Sequence, residues 1–113
     1  MDSARRLREE FSKICFETLL KYSFINEPSS SNENIVITRL ALSSMLTRCK
    51  EILQKYAHDE RLHGKCPLPR YEKFLLSFAF IKETRLGTFF LLRKVFFFYK
   101  KNQTYESLSE ACC

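Results

Sequence analysis

Glycine and proline are scarce in this chain, whose 113 residues include two glycines, three prolines and no tryptophan. Turn-rich β-sandwiches and barrels need many such residues at their tight turns, so the scarcity favours long helices. Two glycines are also too few for the glycine-rich loops that cradle phosphate groups. The expected fold class is all-α, in one domain at most.

Long apolar runs are also missing. None reaches the roughly 18–20 residues needed to cross a bilayer, because residues 74–81 are too few and Arg93 and Lys94 interrupt the later aromatic run. The arginines among residues 5–8 precede an amphipathic pattern, which does not fit a secretory signal. The five cysteines are odd in number and form no C-x-x-C pair. We therefore expect a reducing, cytoplasmic location.

Residue types that perform catalysis are few. The two histidines, His58 and His63, lie near one predicted loop, and no nucleophile stands on a strand–turn–helix elbow. Together with Cys66 they give three metal ligands where zinc usually takes four. We interpret them as surface histidines and a loop cysteine. The prediction is a protein that is not an enzyme and has no metal or cofactor.

Apolar residues at steps of three and four predict helices that pack together. The first helix is expected at residues 4–24, a loop at 26–34, and a second helix from 34–38 to about 61. The loop length fits two antiparallel neighbours. A short strand at residues 35–37 is an alternative, but the helical stripe continues through them. The predicted packing and interface residues are Phe11, Ile14, Leu42, Met45, Leu46, Cys49, Ile52, Leu53 and Tyr56.

The composition changes at Arg70. Gly64 and Pro67 end the second helix, and Pro69 is well placed in the first turn of a third. Eight of the eleven phenylalanines follow Arg70, more than a chain of this size is expected to bury. Gly87 indicates a break, and residues 88–99 fit neither the helical nor the strand period. We expect an aromatic, basic and helical tail at 71–101 and a disordered terminus at 102–113.

The tail permits several interpretations. Its aromatic residues cluster with Leu and Val instead of alternating with polar residues, so no nucleic acid partner is expected. Phenylalanine and leucine beside lysine and arginine fit the headgroup boundary of a membrane better. The simpler alternative is an apolar segment that docks on partner helices or is poorly folded. Cys112 and Cys113 are interpreted as unmodified thiols, although acylation is known beside basic segments. The candidate membrane contacts are Phe89, Phe90, Arg93, Lys94, Phe97 and Lys100.

Three segments carry a resemblance to a known family. Residues 11–20, residues 39–42 and above all residues 59–70, with D-E-R-L followed by G-K-C-P-L-P-R, resemble the C-terminal region of the Mon-two trafficking scaffolds. These are large peripheral proteins of the Golgi and endosomes, related to the large Arf guanine-nucleotide exchange factors but without the exchange domain. The resemblance covers about residues 5–70, and the chain departs from the family after Arg70, as an alternative splice product would.

The resemblance implies a helical hairpin at residues 1–70, as at the end of an armadillo- or HEAT-like solenoid. It implies an interaction scaffold in endosome-to-Golgi vesicle and protein transport, cytoplasmic and peripheral to those membranes. The implied partners are Dopey-type scaffolds and Arf-like GTPases, bound through a helix face. Two alternatives stay open: membrane-surface binding through the basic aromatic tail, and a truncated splice product without independent function.

Overall fold

The structure is a computed structural model that describes residues 3–22, 32–62, 68–79 and 84–106. These residues form four α-helices and a 3₁₀ turn, and none of them is in a strand, so the all-α prediction is confirmed. The helices are α1 (Ser3–Tyr22), α2 (Asn32–Ala57), α3 (Leu68–Leu76) and α4 (Arg85–Glu106), with the 3₁₀ turn at Glu60–Leu62.

Helices α1 and α2 run antiparallel, as the loop length between them predicts. Glu17 forms an ion pair with Arg48 at 3.2 Å, and Glu10 pairs with Lys55 at 3.1 Å. Residue numbers therefore rise along α1 while they fall along α2. Both pairs are exposed, and pairs of this kind contribute about 0–1 kcal/mol each, so the apolar contacts beneath them hold the helices together.

Helix α2 differs from its prediction at both ends. It begins at Asn32 and includes residues 35–37, so the strand alternative for that segment is wrong. It ends at Ala57 instead of near Arg61, because Asp59 organises a separate turn. The backbone carbonyl of Asp59 accepts from the amide of Leu62 at 2.9 Å, and its carboxylate accepts from the amide of Arg61 at 3.0 Å. The predicted stop at Gly64 lies outside the described residues.

An aromatic cluster joins α1, α3 and α4. The ring of Phe11 in α1 lies 4.4 Å from that of Tyr71 in α3, and Phe74 stacks on Phe98 of α4 at 3.9 Å. Contacts of this kind add about 0.5–1.5 kcal/mol per pair to the burial of the rings. The segment beyond Arg70 thus supplies part of the core that α1 and α2 begin.

Helix α4 includes the segment whose period was ambiguous. Thr84 caps it, since its hydroxyl accepts from the amide of Gly87 at 2.9 Å. Gly87 therefore lies inside α4, and the break that was expected there comes before Arg85, where the helix begins. Helix α4 runs antiparallel to α1, because Tyr99 stacks on Phe16 while residues further along α4 contact earlier residues of α1.

The C-terminal end of α4 was predicted to be disordered from residue 102. In the structure Asn102 is buried, and α4 continues to Glu106. The hydrogen bonds of the Asn102 side chain, described below, hold this end of the helix against the core. Residues 107–113 lie outside the described residues.

Candidate interaction surfaces

The nine predicted packing residues lie in the core of the chain itself. Leu46 and Ile52 are partly buried and pack against this core. The side chains of α1, α3 and α4 cover the stripe that the sequence offered as an interface, so it serves intramolecular packing. The other seven residues are buried: Phe11, Ile14, Leu42, Met45, Cys49, Leu53 and Tyr56.

A buried polar cluster centred on Asn102 connects three helices. The side-chain oxygen of Asn102 accepts from the hydroxyl of Tyr71 in α3, and its nitrogen donates to the Ser12 hydroxyl and the Arg8 carbonyl in α1. Burial raises the pKa of Tyr71, against the opposing effects of nearby Arg70 and the Asn102 hydrogen bond. The phenol therefore stays protonated and acts as a hydrogen-bond donor at neutral pH.

Asn102 falls within the terminus that the sequence predicts to be disordered, although the sequence carries a signal for its burial. Asn102 stands seven residues after Val95 and four after Phe98, so it continues an apolar stripe of α4. A polar residue at such a position needs a buried partner. The partners could not be named from the sequence, because they come from α1 and α3.

Two thiols face each other between α1 and α2. Cys15 and Cys49 are both fully buried. The hydrogen bond that the Cys15 thiol donates to Cys49, followed by burial and the charge that Cys49 would carry, raises the pKa of Cys15 well above its usual range. Because the thiolate is the reactive form, this pair is inert at neutral pH and acts as part of the core.

The residues considered for metal binding do not form a described site. His58 is exposed at the end of α2, whereas His63 and Cys66 lie outside the described residues, as do Cys112 and Cys113. Among the residues that the structure describes, no group of three or more His, Cys, Asp or Glu could hold a metal ion. No helix in the described ranges is both long enough and apolar enough to cross a bilayer.

An open groove of about 300 Å³ lies between α1 and α4. The stacked rings of Phe16 and Tyr99 form part of its wall. Its other lining residues are Glu9, Ser12, Lys13 and Gln103. Charges of both signs and a wide opening give this groove no preference for one class of ligand.

The six candidate membrane contacts do not all share one surface. Phe89 is buried in the core and is not available to a membrane, contrary to the prediction. Phe90 and Phe97 are exposed, and the ammonium group of Lys94 lies 5.5 Å from the centre of the Phe90 ring. Arg93 and Lys100 are exposed. With Phe96 also exposed, the expectation that the chain leaves part of its phenylalanine surface unburied is confirmed.

A second exposed apolar surface lies on the first turns of α2. It consists of Val36, Ile37 and Leu40, whereas Ile35 and Thr38 point into the core from the same turns. We refer to the three exposed residues as the α2 surface. Residues three or four apart share one side of a helix, so the side with Ile35 and Thr38 is covered and the side with Val36, Ile37 and Leu40 is open.

Comparison with known proteins relates most of this fold to one family. A family model described as the C-terminal region of Mon2 protein matches residues 1–86. The match extends beyond Arg70, includes α1 to α3, and ends at the first residues of α4. No solved structure gives a significant match.

Curated relatives match over a similar part of the chain. Two proteins named "Protein MON2 homolog", from human and Xenopus laevis, are 57% and 55% identical over 67 and 65 residues, or 59% and 58% of the chain. A Drosophila melanogaster protein of the same name is 38% identical over 95 residues, 69% of the chain. The matched part spans only 4% of the human and Xenopus proteins and 6% of the Drosophila one.

Proposed function

We propose that this chain, which belongs to the family of the C-terminal region of Mon2 protein, is a non-enzymatic protein-interaction segment of a trafficking scaffold. Its transport step would be endosome-to-Golgi, on the cytoplasmic side of those membranes, where it would act by binding other proteins. The antiparallel pair of α1 and α2 supports a place at the end of an armadillo- or HEAT-like solenoid, in which such pairs stack on their neighbours.

The observation that carries this proposal is the α2 surface. Val36, Ile37 and Leu40 are 50%, 42% and 66% exposed, and all three lie in the part of the chain that the family model matches. Full burial of an aliphatic side chain contributes about 1.5–3 kcal/mol, so a partner that covers these residues would gain several kcal/mol. The stripe of Leu42 and Met45 is already occupied by the core, which leaves this side of α2 for a partner.

The proposed partners are those that the resemblance implies, a Dopey-type scaffold and an Arf-like GTPase. The test measures binding of the purified full chain to each purified partner, with the GTPase in its triphosphate-bound form. Val36→Ser with Leu40→Ser is expected to weaken binding at least about tenfold, since two apolar side chains are lost from the contact.

A matched control separates this surface from the other exposed apolar residues. Phe90→Ser with Phe97→Ser removes comparable apolar area from α4 and is expected to leave partner affinity unchanged. Circular dichroism should show the same helix content and melting temperature for both variants, since all four residues are exposed. Failure of the native chain to bind either partner, or equal binding by the α2 variant, would contradict the proposal.

A further inference from the structure

The outward side of α4 carries a row of exposed apolar side chains. Leu86, Phe90 and Phe97 are 73%, 55% and 59% exposed, and their spacing of four and seven residues places them on one side of the helix. Leu92 and Val95 on the opposite side are buried in the core. Helix α4 is therefore held by its inner side, and the apolar row faces away from the other described helices.

Basic side chains flank this row on both sides. At 3.6 residues per turn, Arg93 and Lys100 lie along one edge of the row, and Lys94 and Lys101 lie along the other. Three of them are exposed, and Lys94 is half-buried, with its ammonium group 5.5 Å from the ring of Phe90. No acidic residue occurs in α4 before its last residue, Glu106. We call the row and its four cations the α4 outer face, and its positive charge from Arg93 to Lys101 attracts anions.

The apolar row together with its flanking cations indicates which anionic partner the α4 outer face fits. A phenylalanine side chain carries roughly 150–250 Å² of surface, so Phe90 and Phe97 each present about 100 Å². At a bilayer surface, the acyl boundary takes up such an apolar row while lipid phosphates meet the cations beside it. Large apolar side chains with lysine and arginine beside them are the composition of helices that lie in the headgroup boundary.

We propose that the α4 outer face binds the surface of an anionic lipid bilayer. Leu86, Phe90 and Phe97 enter the headgroup boundary, while the flexible stems of the lysines let their ammonium groups reach lipid phosphates on both sides. The bundle then lies on the membrane with α4 next to the lipid. This inference goes beyond the proposed function and does not depend on it, because the family match ends where α4 begins.

Vesicle flotation of the full chain tests the proposal. Vesicles of phosphatidylcholine with phosphatidylserine are expected to carry the chain, and vesicles of phosphatidylcholine alone to carry much less. Raised salt should weaken the binding, because it screens the lysine–phosphate attraction. Phe90→Ser with Phe97→Ser should lower the apparent affinity at least about tenfold. Lys94→Gln and Lys101→Gln should each lower it about fivefold.

Val36→Ser with Leu40→Ser serves as the control, since it removes exposed apolar area from a different helix, and its vesicle binding should equal that of the native chain. The proposal is overturned if the native chain does not float with anionic vesicles, or if the control loses as much binding as the α4 variant. It is also overturned if the native chain sediments as a dimer, the variant with Phe90→Ser and Phe97→Ser sediments as a monomer, and neither binds vesicles. The partner on the α4 outer face is then a second copy of this chain. None of these outcomes affects the partner test on the α2 surface.

Discussion

Asn102→Leu is the substitution that most directly tests how α4 joins the rest of the fold. The side chain of Asn102 is buried, accepts from the Tyr71 hydroxyl and donates to Ser12, so it contacts both α3 and α1. Leucine has a similar volume but neither accepts nor donates. The substitution therefore removes the hydrogen bonds while it keeps the space filled.

The expected cost comes mainly from Tyr71. Its hydroxyl loses this acceptor in a fully buried position, and such a loss costs about 1–3 kcal/mol. Ser12 is half-buried, so water replaces its lost partner at a smaller cost. The added apolar burial of leucine offsets part of this. We expect the free energy of unfolding to fall by about 2 kcal/mol and the melting temperature by about 10 °C.

Urea unfolding followed by far-ultraviolet circular dichroism measures this loss. Gln103→Leu, at the next and exposed position of the same helix, is the matched control and should change stability by less than about 0.5 kcal/mol. Tyr71→Phe and the double variant complete a thermodynamic cycle. If the hydrogen bond exists, the two substitutions should be non-additive by about 1 kcal/mol.

Two results would refute this reasoning. One is an unchanged unfolding midpoint for Asn102→Leu, and the other is simple additivity with Tyr71→Phe. Either would mean that this amide does not dock α4 on α1 and α3. A single cooperative transition in the native chain, by contrast, would show that the segment beyond the family match folds with the rest, which favours a real domain over a truncated splice product without independent function.

The remaining predictions concern the buried thiols and the pH dependence of stability. Cys15 and Cys49 should resist labelling by a thiol reagent in the folded chain and react once urea unfolds it, as peptide mapping by mass spectrometry would show. Rapid labelling of either cysteine under native conditions would contradict the described core. Because the folded state raises the pKa of Tyr71 above its ordinary value of 10, its contribution to stability is complete below that pH and is lost as the pH rises beyond it. Tyr71→Phe should make the fall in stability above pH 10 shallower than in the native chain, and identical slopes would contradict the burial of this phenol.

Helix α2 shows how far the sequence could be interpreted. Its apolar residues recur every three or four positions with charged residues between them, and the seven stripe residues from Leu42 to Tyr56 are buried or pack on the core. A periodic pattern predicts which side of a helix is covered because only one stripe avoids water. It does not say what covers that stripe. The sequence suggested a partner protein, and the structure places the chain's own helices there.

Helix α4 shows where the interpretation stopped. Its apolar residues occur on both sides, so the pattern had no single stripe and fitted neither helix nor strand. Phe89 and Phe90 are adjacent in the sequence, yet one is buried and the other is exposed. Only the packing of α4 against α1 and α2 distinguishes them, because those contacts fix the rotation of the helix about its axis.

The sequence by itself determined the all-α class, the antiparallel pair of α1 and α2, and the family, because periodicity, loop length and the D-E-R-L and G-K-C-P-L-P-R segments are local properties of the chain. The tertiary structure decided which aromatic side chains remain outside and why the chain stays helical through Asn102. Both depend on contacts between residues about ninety positions apart, such as Ser12 and Asn102. Local patterns carry no information about such contacts, since burial and hydrogen bonding are set by whichever helix lies opposite.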